Sequence, residues 1–218
     1  KCSMTRSSQL PHFEINIPTV VIANHSSWWD PMLCLYLSYH FFKQDWYGVM
    51  AEEQLKRYGI FRYIGVYSLN REDDSSYREF LKYTRNLLLD QSRLLWIYPQ
   101  GDLVSAERLP LVFKKGFARI LTHLPRVNLL KVVMSYDFWK ESRPEIVIDI
   151  LPMETLTPRK GASFVNTLND RVAQEMSGRL AVLRSIVQRR AADELKTLFV
   201  QEAGTNPMYD FWRRMKAK

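Results

Sequence analysis

The chain has 218 residues, 46% of them hydrophobic and 25% charged, which suits a single domain spanning residues 1–218 with a continuous core and excludes an intrinsically disordered chain. Its 31 Lys and Arg against 23 Asp and Glu leave a formal charge of +8, so the surface should attract an anion: nucleic acid, phospholipid headgroups or a polyphosphorylated substrate. Cys2 and Cys34 offer neither a disulfide framework nor metal-ligand spacing, which fits a reducing compartment.

No run approaches the ~18 apolar residues of a transmembrane helix, and none reads as a signal peptide. A chain of this kind that meets a membrane lies on it. The first residue is Lys rather than Met, which leaves room for an upstream anchor. Residues 1–18 are mixed and polar, broken by Pro11 and Pro18, and read as an irregular lead-in or short docking segment.

The apolar, β-branched run Val20-Val21-Ile22-Ala23 predicts a buried strand that delivers Asn24 and His25 to the rim of a sheet. Asp30-Pro31 then predicts a helix start, Asp30 as the N-cap and Pro31 at the first helical position, where a missing N–H costs nothing. His25 and Asp30 thus share one strand-to-helix turn. A carboxylate bonded to one ring nitrogen of histidine fixes the tautomer and leaves the other nitrogen to take a proton from a hydroxyl. The plainer alternative is that Asp30 only caps its helix and His25 is a satisfied turn residue.

Met32 to Phe42 predicts a buried apolar helix, Tyr47 to Ala51 a short strand, Glu52 to Tyr58 a brief helix, Ile60 to Ile64 an apolar connector and Gly65 to Leu69 a further strand. Arg71 lies just past that strand's end, where a guanidinium fork matches a phosphate, unless it pairs with the neighbouring Glu72, Asp73 or Asp74. Ser75-Ser76 opens a helix to about Asp90 with Tyr77, Phe80, Leu81, Thr84 and Leu88 on one face. Leu94 to Tyr98 is an apolar strand that stops at Pro99-Gln100-Gly101, where backbone amides reach a sheet edge and glycine admits a close ligand.

Lys114-Lys115-Gly116 leads into a helix over Phe117 to Leu124, and Leu129 to Tyr136 and Glu145 to Ile150 are two more strands. Gly161 and Ser163 begin the longest helix, with an apolar stripe of Phe164, Leu168, Val172, Met176, Leu180, Leu183 and Val187. In residues 206–218, Met208, Phe211, Trp212 and Met215 recur on one helical face with Arg213, Arg214, Lys216 and Lys218 opposite, a pattern suited to an anionic bilayer interface or to a terminal helix packed on the body with its basic face exposed. Strands alternating with helices predict an α/β fold: a central, mostly parallel or mixed β-sheet flanked by helices.

Three of these segments together resemble the glycerolipid acyltransferase family, whose best-known members are the lysophosphatidic acid acyltransferases. Asn24-His25-Ser26-Ser27-Trp28-Trp29-Asp30-Pro31 matches the first motif, His, four residues, Asp. Gly65-Val66-Tyr67-Ser68-Leu69-Asn70-Arg71 matches the second, with Ser68 where an aromatic is usual. Tyr98-Pro99-Gln100-Gly101-Asp102 matches part of the third, with Gln100 in place of glutamate and no following arginine; Lys114-Lys115-Gly116 resembles the basic segment that comes next. Leu129 to Tyr136 stands where a proline-rich fourth motif is usual, and no residue is carried over from it.

The resemblance implies a glycerol-3-phosphate acyltransferase-like α/β fold and an O-acyltransferase that moves a fatty acyl group from acyl-CoA or acyl carrier protein to a lipid hydroxyl, lysophosphatidate by default. It implies His25 as general base held by Asp30, and an acceptor site of Gly65, Arg71, Gln100, Gly101, Lys114 and Lys115; backbone amides near the turn, with Asn24 or Ser26, are placed to stabilise the oxyanion. No metal or bound cofactor is implied. A glycolipid, carotenoid glycoside or ornithine lipid is an alternative acceptor. Implied partners are the thioester donor, the lipid acceptor and an anionic membrane, with the protein peripheral on its cytoplasmic face. The rival class is a non-catalytic lipid- or nucleic-acid-binding protein on the same scaffold; no helix-turn-helix, zinc finger or ribonucleoprotein motif supports nucleic acid.

Overall fold

The computed structural model describes residues 1–14, 17–70, 73–90, 93–138 and 144–200. Its centre is a nine-stranded mixed sheet whose main path runs β4-β3-β5-β2-β6-β7-β1-β9, where β1 is Cys2–Thr5, β2 Thr19–Ala23, β3 Asp45–Ala51, β4 Val66–Leu69, β5 Arg93–Ile97, β6 Val127–Asp137, β7 Glu145–Ile150 and β9 Leu195–Phe199. The five strands from β4 to β6 are parallel to their neighbours. Beyond them β7 runs antiparallel to β6, β1 parallel to β7 and β9 antiparallel to β1. A short β8, Glu154–Leu156, pairs with the first residues of β6.

Because the central strands are covered on both faces, they read as continuous apolar runs rather than alternating ones. One layer packs Val20, Ile22, Leu95, Leu129 and Val133 against α3 (Asp74–Leu87), α4 (Gly116–Leu121) and α5 (Ala162–Arg189). The opposite layer packs Val21, Ala23, Trp96, Leu130 and Met134 against α1 (Asp30–Leu37), α2 (Glu52–Arg57) and a 3₁₀ helix, Gly59–Ile64. The α5 stripe is buried as its spacing requires, from Leu168 through Val187. Among the described residues no helix is long and apolar enough to cross a membrane.

Several expectations change. The lead-in is not wholly irregular: Cys2–Thr5 is a buried strand held between β7 and β9. A four-residue run of mixed polarity carries no periodic signal, and only its partners make it a strand. The predicted helix over Met32 to Phe42 is α-helical only to Leu37 and continues as a π-turn over Ser38–Phe42 that ends on left-handed Lys43. Within that turn the Ser38 hydroxyl is drawn inward to accept from the Trp96 indole N–H at 2.9 Å. The cap of α3 is Asp73, which accepts from the backbone N–H groups of Ser75 and Ser76. Strands β8 and β9 lie in stretches with no strand prediction. The basic, amphipathic segment 206–218 and Arg71 lie outside the described residues.

Candidate active site

The strands from β4 to β6 run parallel, so their carboxyl ends lie along one edge of the sheet. From β2 come Asn24 and His25, and from β5 come Tyr98, Pro99, Gln100 and Gly101. Ligands of parallel α/β sheets gather outside such carboxyl ends. The His25 Nδ1 lies 2.7 Å from Asp30 Oδ2. Its other nitrogen, Nε2, has no hydrogen-bond partner among the described residues, and the side chain is 19% exposed.

Asp30 is wholly buried and is not the N-cap; it is the first residue of α1, after Trp29. Its Oδ2 accepts from His25 Nδ1 and from the backbone N–H groups of Ser26 and Ser27, at 2.9 and 3.0 Å, while Oδ1 accepts from the Tyr136 hydroxyl. Four donors compensate the burial of one carboxylate, which is what such a charge needs away from water. The turn between strand and helix is therefore wrapped around the Asp30 side chain.

His25 is fixed from three further directions. Its backbone N–H donates to Gln100 Oε1 at 2.6 Å, its carbonyl accepts from Val104 N–H at 3.0 Å, and its ring stacks on Tyr98 with centroids 4.2 Å apart. Tyr98 is held by a 3.1 Å contact between its hydroxyl and Cys34 Sγ. Burial first, then the nearby Cys34 and Asp30, push the Tyr98 phenol well above its ordinary range. Burial and the Asp30 carboxylate do the same to Tyr136, which keeps it a protonated donor. Burial likewise raises Cys34, against the Tyr98 hydrogen bond and with help from the Asp30 charge, so that thiol is inert packing.

Of the sequence-predicted residues, His25, Asp30, Gln100, Gly101 and Lys114 come together at this rim. Gln100 is buried and its side-chain oxygen is engaged by His25, so it holds the histidine's backbone. Gly101 has φ +80°, and a Cβ there would lie 2.8 Å from Lys114 Cδ. The Lys114 ammonium is paired with Asp102 at 2.6 Å, and its backbone N–H donates to Pro99 O at 2.7 Å. Lys115 faces the other way, into a cavity between α3, α4 and the start of α5. Gly65 does not share the rim. Register places Val66 in one row with Gly48, Trp96 and Val21, so Gly65 lies five residues below His25, about 16 Å along the strands.

The expectation for Asn24 is corrected: its amide donates to Met134 O and accepts from Met134 N–H, extending the β2–β6 pairing one step beyond Ala23. Ser26 Oγ is buried without a hydrogen-bond partner among the described residues. No sequence signal assigns a role to Tyr136 or Tyr98. Tyr136 sits on β6, in the stretch from which no residue was carried over, and the one available hint was a polar-tipped aromatic ending a buried strand.

A family model described as Acyltransferase matches residues 3–135. The chain belongs to the Acyltransferase family. Among curated proteins none matches this acyltransferase in sequence. Among solved structures it is similar to the 1-acyl-sn-glycerophosphate (LPA) acyltransferase PlsC from Thermotoga maritima, at TM-score 0.50 and 20% identity over 80% of this chain and 71% of that one. That likeness is one of fold. As an acyltransferase the protein is an enzyme that moves an acyl group from a donor to an acceptor, and the expected α/β architecture holds.

Proposed function

We propose that this acyltransferase moves a fatty acyl group from a thioester, acyl-CoA or acyl carrier protein, to a hydroxyl of a lysophospholipid-type acceptor, with lysophosphatidate the default. The observation that carries the reading is the 2.7 Å bond between His25 Nδ1 and Asp30 Oδ2 beside an unpartnered Nε2. With Nδ1–H donated to the carboxylate, Nε2 presents a lone pair to the acceptor hydroxyl. As that oxygen attacks the thioester carbonyl, its proton passes to Nε2 and Asp30 balances the imidazolium. Collapse of the tetrahedral intermediate breaks the carbon–sulfur bond, and the departing thiolate takes the proton back.

A second acceptor class is favoured by the Asp102–Lys114 pair, because the lysine nearest Gly101 already has its anion. An acceptor without a phosphate, such as a glycolipid, carotenoid glycoside or ornithine lipid, does not have to displace it. Either acceptor puts the enzyme at a membrane surface, on the cytoplasmic face where thioester donors are made. The test is transfer of labelled acyl groups from each donor to each acceptor by the intact protein, His25→Ala and Asp30→Asn. Loss of at least about a hundredfold in His25→Ala supports the base. An undiminished rate places the base elsewhere, and product only from phosphate-free acceptors selects the second class.

A further inference from the structure

Two adjoining cavities, about 520 and 390 Å³, lie on the outer side of the α3–α4–α5 layer and share His123 as a wall. Lys115 and Arg119 line one, and Arg78, Lys82 and Arg85 the other. No carboxylate lines either, and among the described residues none of these five side chains is in an ion pair. Like charges held together without counter-ions cost stability, and an anionic ligand removes that cost. Tyr77, Leu81 and Val165 give the groove an apolar floor.

The groove begins beside the catalytic rim. Lys115 follows Lys114, whose side chain closes over Gly101, and the next residue back, Gln100, holds the backbone of His25. From Lys115 to His123, and from Tyr77 to Arg85, it runs about 12 Å down the helices, away from the rim. A ligand that fits has one end rich in phosphate and a neutral arm that reaches the rim. The groove is an open depression between helices. Exposed aromatic residues suited to a bilayer lie across the sheet instead: Trp28 packs on Tyr58 and Phe61 in the opposite layer, with Trp29 and Tyr63 exposed nearby in sequence.

We propose that this groove binds the nucleotide end of a coenzyme A thioester, its diphosphate and 3′-phosphate set among Arg78, Lys82, Arg85, Lys115 and Arg119, so that the pantetheine arm crosses Lys114 to bring the thioester to His25. The assignment rests on the acyl-transfer reading and narrows its donor. Arginine forks match phosphate oxygens in pairs, and the flat Tyr77 ring offers the base a surface.

The test measures binding without turnover, by calorimetric titration of coenzyme A into the whole protein. Adenosine 3′,5′-bisphosphate is expected to compete, and inorganic phosphate to compete only weakly. The double variant Lys82→Glu/Arg119→Glu is expected to weaken binding at least about tenfold, and Lys82→Arg/Arg119→Lys to retain most of it. In the acyl-transfer assay the charge-reversal variant should raise KM for acyl-CoA while kcat and the acceptor KM stay put. The five cationic side chains are all exposed, so the fold should survive, which an unchanged thermal midpoint verifies. Undiminished coenzyme A binding in the charge-reversal variant overturns the proposal, as does a variant that loses acyl carrier protein or anionic vesicles instead. A protein that binds coenzyme A through these residues yet transfers no acyl group overturns the reaction and leaves the site.

Discussion

The Tyr136 hydroxyl, on β6, donates to Oδ1 of Asp30 while His25 and two backbone amides take Oδ2, so the carboxylate plane is set from both sides. In the proposed reaction Tyr136 touches no reacting atom and acts through Asp30. Tyr136→Phe removes one of four donors and lets the carboxylate turn. We expect kcat to fall about tenfold with KM for both substrates unchanged, the pattern for an interaction made in the transition state. A change in KM alone, or an equal loss explained by a lower thermal midpoint, makes the tyrosine a packing residue.

Gln100 fixes the His25 backbone from the next strand. Gln100→Ala leaves the His25 N–H without its acceptor and should cost about 1–3 kcal/mol of unfolding free energy, the usual penalty for an orphaned buried donor. Gln100→Glu keeps an acceptor at the same reach and should lose less. Urea unfolding of the three proteins checks the order, and Glu losing as much as Ala contradicts the assigned contact.

Gly65 and Gly101 both have positive φ, +96° and +80°, but what lies beyond each differs. A Cβ at Gly65 meets the Trp46 carbonyl oxygen at 2.6 Å, and a strand backbone cannot step aside. At Gly101 the obstacle is the far end of the Lys114 side chain, which can. Gly101→Ala should therefore cost about 1 kcal/mol, mostly conformational, and Gly65→Ala about 3 kcal/mol. Equal thermal midpoints for the two variants contradict this. The Gly65 loss should appear as stability, with kcat per folded molecule retained, since the residue lies far below the rim.

Lys131, only 4% exposed on β6, donates to Glu154 and Glu175, and Glu154 also accepts from Arg171. Burial pushes the Glu154 carboxyl up, but the bonds and charges of Lys131 and Arg171 outweigh it and hold the group below its ordinary 4.5. A carboxyl lowered in the folded state contributes stability that is complete above the unfolded value and is lost as pH falls through the folded one. Stability should thus drop below about pH 4.5. Lys131→Met removes the main lowering partner and should flatten that acid limb. Urea midpoints from pH 7 to pH 3 check it, and parallel curves for the two proteins rule it out.

The turn that carries His25 and Asp30 is legible in sequence because it is local. A strand that stops, a proline in the first helical turn and a carboxylate five residues after a histidine lie within one short segment whose own amides bind Asp30. Strand and helix order is legible for the same reason, as is the α5 stripe, since a repeating apolar spacing belongs to one element alone. The tertiary structure decided everything that needs two distant segments: Tyr136 reaching Asp30 from 106 residues away, Gln100 and Tyr98 bracing His25 across strands, Asn24 bridging to Met134, and Gly65 standing far from the rim. It also decided that Cys2–Thr5 and Leu195–Phe199 are strands, because they have partners rather than pattern. Hydrogen bonds and packing between remote segments depend on strand order and register, and local propensity fixes neither.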